Sequence, residues 1–218
     1  MILIPIKDFF ETKTRIRAAF PADSSRLIEN LVKVTYLQTI ETINSLSYPF
    51  GVISPSMSII NQSRDLGAVF TYCDSGIDLN IALLEAVQKL PPDQPILVIM
   101  PDLPFINQEF LQRLSNEINT VDVLIIPSIS SDDSFGTAVL YLKHQSLLSF
   151  QFGSNSSRQF RAEADQKNLK YRILHLDPYA RDLDTFVDIQ YLRQHLSLVS
   201  DPNPFIEILR NLELTTSL

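Results

Sequence analysis

Acidic side chains occur at two distant points of this chain, in patterns that suit a divalent cation. Asp102 follows an apolar run directly and lies between two prolines, which restrict the backbone around it. Asp182 and Asp184 are two residues apart, so in an extended segment their side chains point to the same side. Magnesium prefers one or two carboxylates together with the phosphate oxygens of a substrate. The pattern therefore predicts that these three aspartates hold one or two Mg²⁺ ions.

Each of these aspartates also has an ordinary structural explanation. Asp102 would end a strand or cap a helix, as aspartate commonly does. Asp184 or Thr185 would cap the helix that the pattern predicts to begin at this point. In that case Arg181 would neutralise Asp182. The residue types alone leave both explanations open.

Basic side chains cluster after the first apolar run of the chain. Lys7, Lys13 and Arg15 fall within nine residues. Cations placed in this way would neutralise a triphosphate and the pyrophosphate that leaves it. The alternative is a solvated loop with scattered charges.

Small, donor-rich turns form a third group of candidates. Gly136-Thr137 and the segment 152–156 offer backbone amides and hydroxyls that could hold a small carboxylate or phosphate. Ser156 also begins a predicted helix, whose dipole favours anions at this end. Glycine turns are common, so an ordinary turn is the alternative.

Motifs of several other protein classes are missing from the sequence. Only 5 of the 218 residues are glycine, and neither GxGxxG nor GxxxxGK[ST] occurs. The single cysteine, Cys73, excludes an internal disulfide and any CxxC motif. The 3 histidines are dispersed, and no GxSxG is present, so neither a zinc site nor a serine nucleophile is expected.

The composition is that of a folded domain with an acidic balance. Apolar residues make up 45% and charged residues 20%, and 18 Lys and Arg against 25 Asp and Glu give a net charge of −7. General nucleic-acid binding needs a basic face, which this balance does not favour. No apolar run approaches the ~20 residues that cross a bilayer, and the N-terminus lacks signal-peptide features, so we expect a cytoplasmic protein without membrane partners.

Short apolar runs alternate with longer helical patterns, which predicts a single α/β domain with one mainly parallel, mixed sheet and helices on both faces. Strands are predicted at 2–6, 50–53, 68–72, 95–100, 121–126, 137–142 and 171–176, with a short extended piece at 148–152. Helices are predicted at 25–44, 77–90, 108–118, 156–168, 185–196 and 204–212. We expect 128–160, which includes a polar loop at 128–134, to be a substrate-shaping insertion and 213–218 to be a frayed tail.

These elements would bring the candidate residues together. Open parallel sheets bind ligands beyond the carboxyl ends of their strands. The first strand leads to Lys7, the strand at 95–100 leads to Asp102, and the strand at 171–176 leads to Asp182. All three segments should therefore meet at one edge of the sheet.

Six short motifs resemble, in order along the chain, those of the 2-phospho-L-lactate guanylyltransferases, which make the guanylylated precursor of coenzyme F420. They cover most of the chain, from residue 2 to about residue 196. They are IPIK with KTRI (4–7 and 13–16), LNIAL (79–83), PILVIMPDLP (95–104), GT (136–137), FGSNS (152–156) and DLDTFVD (182–188).

The resemblance implies a glycosyltransferase-A-like nucleotidyltransferase that transfers GMP from GTP to a small phosphorylated carboxylic acid. The acceptor would be 2-phospho-L-lactate, phosphoenolpyruvate or 3-phosphoglycerate. By analogy with the family, Mg²⁺ would bind Asp102, Asp182 and Asp184, and the triphosphate would bind Lys7, Lys13 and Arg15. These three cations and Asp102 would form the catalytic set. The acceptor would lie against Thr137, Gly153, Ser156 and Asn80.

The chain departs from the family pattern at three positions. Ala138 stands where the family usually has Asn, Phe160 where it has His, and Phe186 where it has Pro. We expect the first two to flank the acceptor pocket, which leaves the identity of the acceptor open.

Two rival functions remain at this point. One is another nucleotidyltransferase, acting on molybdopterin or a sugar phosphate, and the other is a degenerate homologue that binds a nucleotide without turnover. A homodimer and a downstream transferase of the F420 pathway are the protein partners to consider.

Overall fold

The computed structural model describes residues 1–9, 13–20, 22–76, 78–129, 136–199 and 204–216. The strands are β1 (Ile2–Pro5), β2 (Phe50–Ser54), β3 (Phe70–Cys73), β4 (Ile96–Ile99), β5 (Val123–Pro127), β6 (Thr137–Leu142) and β7 (Tyr171–Ile173). The helices are α1 (Thr14–Ala18), α2 (Ser25–Ser45), α3 (Met57–Asp65), α4 (Leu79–Val87), α5 (Gln108–Ile118), α6 (Ser156–Gln166), α7 (Phe186–Gln194) and α8 (Phe205–Thr216). None of the helices in this part of the chain is both long and apolar enough to cross a membrane.

The strands of the described residues form one mixed sheet in the order β3-β2-β1-β4-β6-β5-β7. Strand β6 runs antiparallel to both of its neighbours, and the other pairs are parallel. The predicted mainly parallel, mixed sheet is confirmed. Because β1 and β4 are parallel neighbours, their carboxyl ends reach the same edge, where Lys7 and Asp102 follow.

Helices cover both faces of the sheet, as predicted. Alternate residues of β1 face opposite sides: Ile4 packs in a core with α2 and α5, and Leu3 packs in a core with α4 and α6. Burial on both faces explains why these strands read as continuous apolar runs in the sequence.

A third apolar cluster ties the two charged segments of the sequence together. Ile16 of the basic segment and Leu183 of the acidic segment are both buried in it, beside Leu31 of α2, Ile189 of α7 and Phe205 of α8. Since Leu183 points into this cluster, its neighbours Asp182 and Asp184 are directed away from it. The C-terminal helices therefore help to position the acidic residues.

The segment 128–160, which we expected to be a substrate-shaping insertion, supplies β6, an inner strand of the sheet. Residues 130–135, which include most of the predicted polar loop, lie outside the described residues. The extended piece at 148–152 is not a strand, since the Ser149 amide bonds to the Glu163 carboxylate at 3.1 Å instead of to a neighbouring strand.

Two helices were not predicted, and one is longer than predicted. Helix α3 buries only Ile59, Ile60 and Ser63, a pattern too short to stand out by its periodicity, and α1 has five residues. Helix α8 continues to Thr216, so most of the predicted frayed tail is helical, while 217–218 lie outside the described residues.

Candidate active site

A continuous cleft opens beyond the carboxyl ends of β1, β2 and β4. Its two halves have volumes of about 410 Å³ and 420 Å³. The side chains that line both halves include two basic and three acidic residues. They are Lys7, Arg15, Asp78, Leu79, Met100, Asp102 and Asp184. The structure therefore brings the predicted basic and acidic segments to one place.

Lys13 lies between two of the predicted metal ligands. Its Nζ is 2.5 Å from Asp102 Oδ2 and 2.5 Å from Asp184 Oδ1. The residue has left-handed backbone angles, with φ at 61°, directly before α1. Only 10% of its side chain is exposed, so the alternative of a solvated charge does not describe Lys13.

Asp182 is the third carboxylate of the acidic group. Its Oδ1 is buried and has no hydrogen-bond partner among the described residues. Burial and, after it, the nearby carboxylates of Asp102 and Asp184 together raise the pKa of Asp182 to about 8. The amide of Leu183 donates to the Asp102 carbonyl at 3.1 Å, which fixes the two acidic segments against each other.

The ammonium of Lys13 is the counterion of this group. Burial opposes its charge, but Asp102 and Asp184 outweigh burial and raise the pKa of Lys13 above its ordinary value. Within the described residues, no three Asp, Glu, His or Cys side chains are arranged to hold a metal ion as they stand. The cation that the carboxylates bind in this structure is the lysine.

The high pKa of Asp182 predicts how stability depends on pH. Between the unfolded pKa near 4 and the folded pKa of about 8, the folded chain keeps a proton that the unfolded chain loses, so stability falls as pH rises. Asp182→Asn removes this penalty. In EDTA, we expect it to raise the free energy of unfolding by roughly 3 kcal/mol more at pH 8 than at pH 5. Urea unfolding at both pH values measures this, and an equal change at both would contradict the assignment.

The alternative roles considered for the acidic segment are partly confirmed. Thr185 caps α7, and Asp188 completes a capping box with it. Arg181 forms no ion pair with Asp182 in the described part of the chain, because its guanidinium lies 3.9 Å from the centre of the Tyr191 ring and 3.7 Å from Asp188. Thr185 therefore acts as the cap, which leaves Asp182 and Asp184 to the cleft.

Asp188 has a positioning role that its place in the motif did not reveal. It is fully buried, and its Oδ2 accepts hydrogen bonds from the amides of Asp184 at 3.2 Å and Thr185 at 2.8 Å. These bonds hold the backbone that carries the Asp184 carboxylate. The capping-box spacing of Thr185 and Asp188 is the sequence signal that could have identified it.

Three of the four predicted acceptor residues, Asn80, Thr137 and Gly153, line the second half of the cleft, and Ser156 does not. The Thr137 and Ser156 hydroxyls are 2.7 Å apart, and Ser156 is fully buried behind Thr137. Gly153 lies on the cleft wall with φ at 136°, a conformation that glycine adopts most easily, and a Cβ there would meet no atom of the described residues within 4 Å. Gly153 and Thr137 therefore line the same half of the cleft.

Asn80 lines the same half and also holds the loop beside it. Its Oδ1 accepts from the Phe152 amide at 2.6 Å, and its Nδ2 donates to the Phe152 carbonyl at 3.1 Å. Both polar atoms thus bond to the backbone next to Gly153. The structure gives Asn80 a positioning role in this half of the cleft.

The two departures that were expected to flank the acceptor pocket differ in their location. Ala138 lines the cleft, as expected. Phe160 does not flank the acceptor pocket, because it is fully buried in the core and packs edge-on against Phe152 with ring centres 5.3 Å apart. Its helix presents this position to the core, so only Ala138 changes the chemistry of the cleft wall.

Solved structures of nucleotide-handling enzymes share this fold. A protein from Desulfovibrio desulfuricans G20, assigned as a nucleotide-diphospho-sugar transferase, matches 97% of this chain and 96% of its own with a TM-score of 0.74 and 18% identity. The 4-diphosphocytidyl-2C-methyl-D-erythritol synthase of Anaerococcus prevotii matches 90% of this chain and 96% of its own with a TM-score of 0.57 and 12% identity. The predicted nucleotidyltransferase-like fold is confirmed.

Relatives found by sequence are more specific. The 2-phospho-L-lactate guanylyltransferase of Methanobrevibacter smithii is 27% identical over 194 residues, which cover 88% of this chain and 83% of the relative. The phosphoenolpyruvate guanylyltransferase of Chloroflexus aurantiacus is 28% identical over 209 residues, which cover 94% of this chain and 98% of the relative. The family described as "Guanylyl transferase CofC like" matches residues 1–214. The chain therefore belongs to the CofC-like guanylyl transferase family.

Proposed function

We propose that this chain transfers GMP from GTP to a small phosphorylated carboxylic acid and releases pyrophosphate, as a step in coenzyme F420 biosynthesis. The acceptors to consider are 2-phospho-L-lactate, phosphoenolpyruvate and 3-phosphoglycerate. One observation in this member of the family carries the proposal. The Lys13 ammonium forms ion pairs with Asp102 and Asp184, and these two carboxylates line both halves of a cleft large enough for two substrates.

The acidic group suits Mg²⁺, with Asp102, Asp182 and Asp184 as the residues that would hold it. Carboxylate oxygens are the ligands this ion prefers, and the buried Asp182 Oδ1 lacks any partner in the described chain. When bound, Mg²⁺ would neutralise charge on the reacting phosphate and on the pyrophosphate that leaves.

Lys13 would have two successive partners. In this structure its ammonium neutralises Asp102 and Asp184. With a divalent cation on those carboxylates, the ammonium would be free to neutralise the triphosphate together with Lys7 and Arg15, which line both halves of the cleft. Such an exchange would avoid an uncompensated buried charge in either state.

The chain's own residues supply alignment rather than a general base. A phosphate oxygen of the acceptor is already an anion; it attacks the α-phosphorus of GTP, and the bond from that phosphorus to the bridging oxygen of pyrophosphate breaks. Thr137 and the Gly153 turn would hold the acceptor's carboxylate, and Lys7 and Arg15 would neutralise the leaving group. Positioning and charge neutralisation dominate reactions of this type.

Asn80 provides a separate test of the acceptor half. Asn80→Ala removes both hydrogen bonds to Phe152, which frees the turn that carries Gly153. Two lost bonds correspond to about 1–3 kcal/mol, so we expect KM for the phospho-acid to rise about tenfold. KM for GTP should stay unchanged, as should both constants in Asn30→Ala, which alters an exposed residue of α2. An equal rise in both KM values would contradict this role.

The direct test incubates the protein with MgCl₂, GTP and each phospho-acid and measures pyrophosphate release. We expect release with GTP and at least one three-carbon phospho-acid, and a product whose mass equals the acceptor plus GMP. Turnover only with a sugar phosphate or molybdopterin would overturn the proposal in favour of another nucleotidyltransferase. Nucleotide binding without turnover on any acceptor would identify a degenerate homologue instead.

A further inference from the structure

The first half of the cleft has the character of a pocket for a flat base. Its walls are apolar and come from the carboxyl ends of β1 and β2 and from α4. They include Pro5, Ile53, Pro55, Leu79 and Ala82. It adjoins the group of Lys13, Asp102 and Asp184, so a nucleotide whose phosphates lie at that group would place its base against these walls.

Few side chains in this half can accept a hydrogen bond from a base. Apart from the acidic group at Lys13, the side-chain acceptors that line it in the described part of the chain are Thr14, Asp74 and Asp78. Asp78 Oδ1 is already the cap of α4, since it accepts from the amides of Asn80 at 2.7 Å and Ile81 at 3.1 Å. Asp78 is also exposed. This leaves Asp74 as the better-placed carboxylate.

Asp74 is held firmly at the end of β3 and is still able to bind. Its amide donates to the Ser54 carbonyl at 3.2 Å, and its Oδ1 accepts from the Gly76 amide at 2.5 Å. Gly76 has φ at 74°, which allows this tight turn, and a Cβ there would meet Pro55 at 3.2 Å. Within the described residues Asp74 forms no ion pair, and Oδ2 bonds to no protein group. This half-buried carboxylate can therefore accept hydrogen bonds from a ligand that presents two donors.

Guanine is the base that presents such a pair of donors. Its N1–H and its 2-amino group point in the same direction, and a carboxylate accepts from both, whereas adenine has no donor at N1. We propose that Asp74 is the residue that selects guanine, by accepting hydrogen bonds from N1–H and the 2-amino group. This inference rests on the proposed function for the presence of a nucleotide, and it adds the basis of base selectivity.

The test compares GTP with its inosine and xanthosine counterparts. ITP lacks the 2-amino group, so the unaltered protein should use it about 10- to 100-fold less efficiently than GTP. XTP replaces that amine with a carbonyl, which an asparagine amide matches. Asp74→Asn should therefore lose about 10- to 100-fold in kcat/KM for GTP, gain activity with XTP, and prefer XTP over GTP.

The control is Asp78→Asn, which makes the same chemical change on the same half of the cleft and should keep the preference for GTP over XTP. Equal use of GTP and ITP by the unaltered protein overturns the inference and requires no variant. A GTP preference retained by Asp74→Asn, with an unchanged unfolding temperature, also overturns it. Failure of the unaltered protein to use any nucleoside triphosphate overturns the proposed function instead, so the two failures can be told apart.

Discussion

Asp184→Asn is expected to lower kcat/KM for the transfer of GMP about 1000-fold. The change removes a charge from the group that would hold Mg²⁺, and metal stabilisation of the reacting phosphate accounts for several kcal/mol of such a reaction. It also removes one of the two partners of Lys13. The Asp184 side chain is 35% exposed, so the fold should tolerate the substitution with a small loss of stability.

Pyrophosphate release and a far-ultraviolet circular dichroism melt measure the two effects of Asp184→Asn. Asp93→Asn is a matched control, because it removes the same charge from an exposed turn before β4 and should leave the rate unchanged. A rate for Asp184→Asn near that of the control would show that Asp184 takes no part in the reaction.

Lys13→Met is expected to slow turnover about 10- to 150-fold while it strengthens binding of a divalent cation to the free protein. Under the proposed function, the ammonium would compete with a metal ion for Asp102 and Asp184, so its removal should favour metal binding. The same removal takes a positive charge away from the triphosphate, where a charge-assisted contact contributes about 1.5–3 kcal/mol. Tighter metal binding with slower turnover distinguishes this role from a purely structural one.

The free energy of unfolding of the Lys13→Met variant should depend on whether Mg²⁺ is present. In EDTA, we expect a loss of about 3 kcal/mol, because the carboxylates are left without a counterion. Added Mg²⁺ should restore most of this loss. Urea unfolding with and without Mg²⁺, together with Mn²⁺ titration by electron paramagnetic resonance, measures both effects, and Lys89→Met at an exposed position is the control. The same loss of stability in both buffers, with unchanged Mn²⁺ affinity, would contradict the role.

The meeting of the charged segments could be predicted because it follows from simple rules. The apolar runs before Lys7 and Asp102 identified two strands, and parallel strands end at one edge of the sheet. Leu183 lies between two aspartates, and its burial directs both of them toward the cleft. Local pattern was therefore sufficient to group these residues.

The partners within that group could not be predicted. Lys13 contacts Asp102 and Asp184, which are 89 and 171 residues away in sequence, and the spacing of charges gave no reason to prefer this pairing over a bound triphosphate. The pairing depends on tertiary packing, because Ile16 of α1 and Leu183 are buried in the same apolar cluster. The same limit explains Phe160, since the sequence could not show which face of α6 meets the core.

The divalent cation site is tested most directly by an anomalous difference map from crystals grown with Mn²⁺ and GTP. Such a map should show a peak among the carboxylates of Asp102, Asp182 and Asp184, with the Lys13 ammonium moved from between them toward the phosphates. A map with Mn²⁺ bound only elsewhere, and Lys13 still within 2.5 Å of both Asp102 and Asp184, would contradict it.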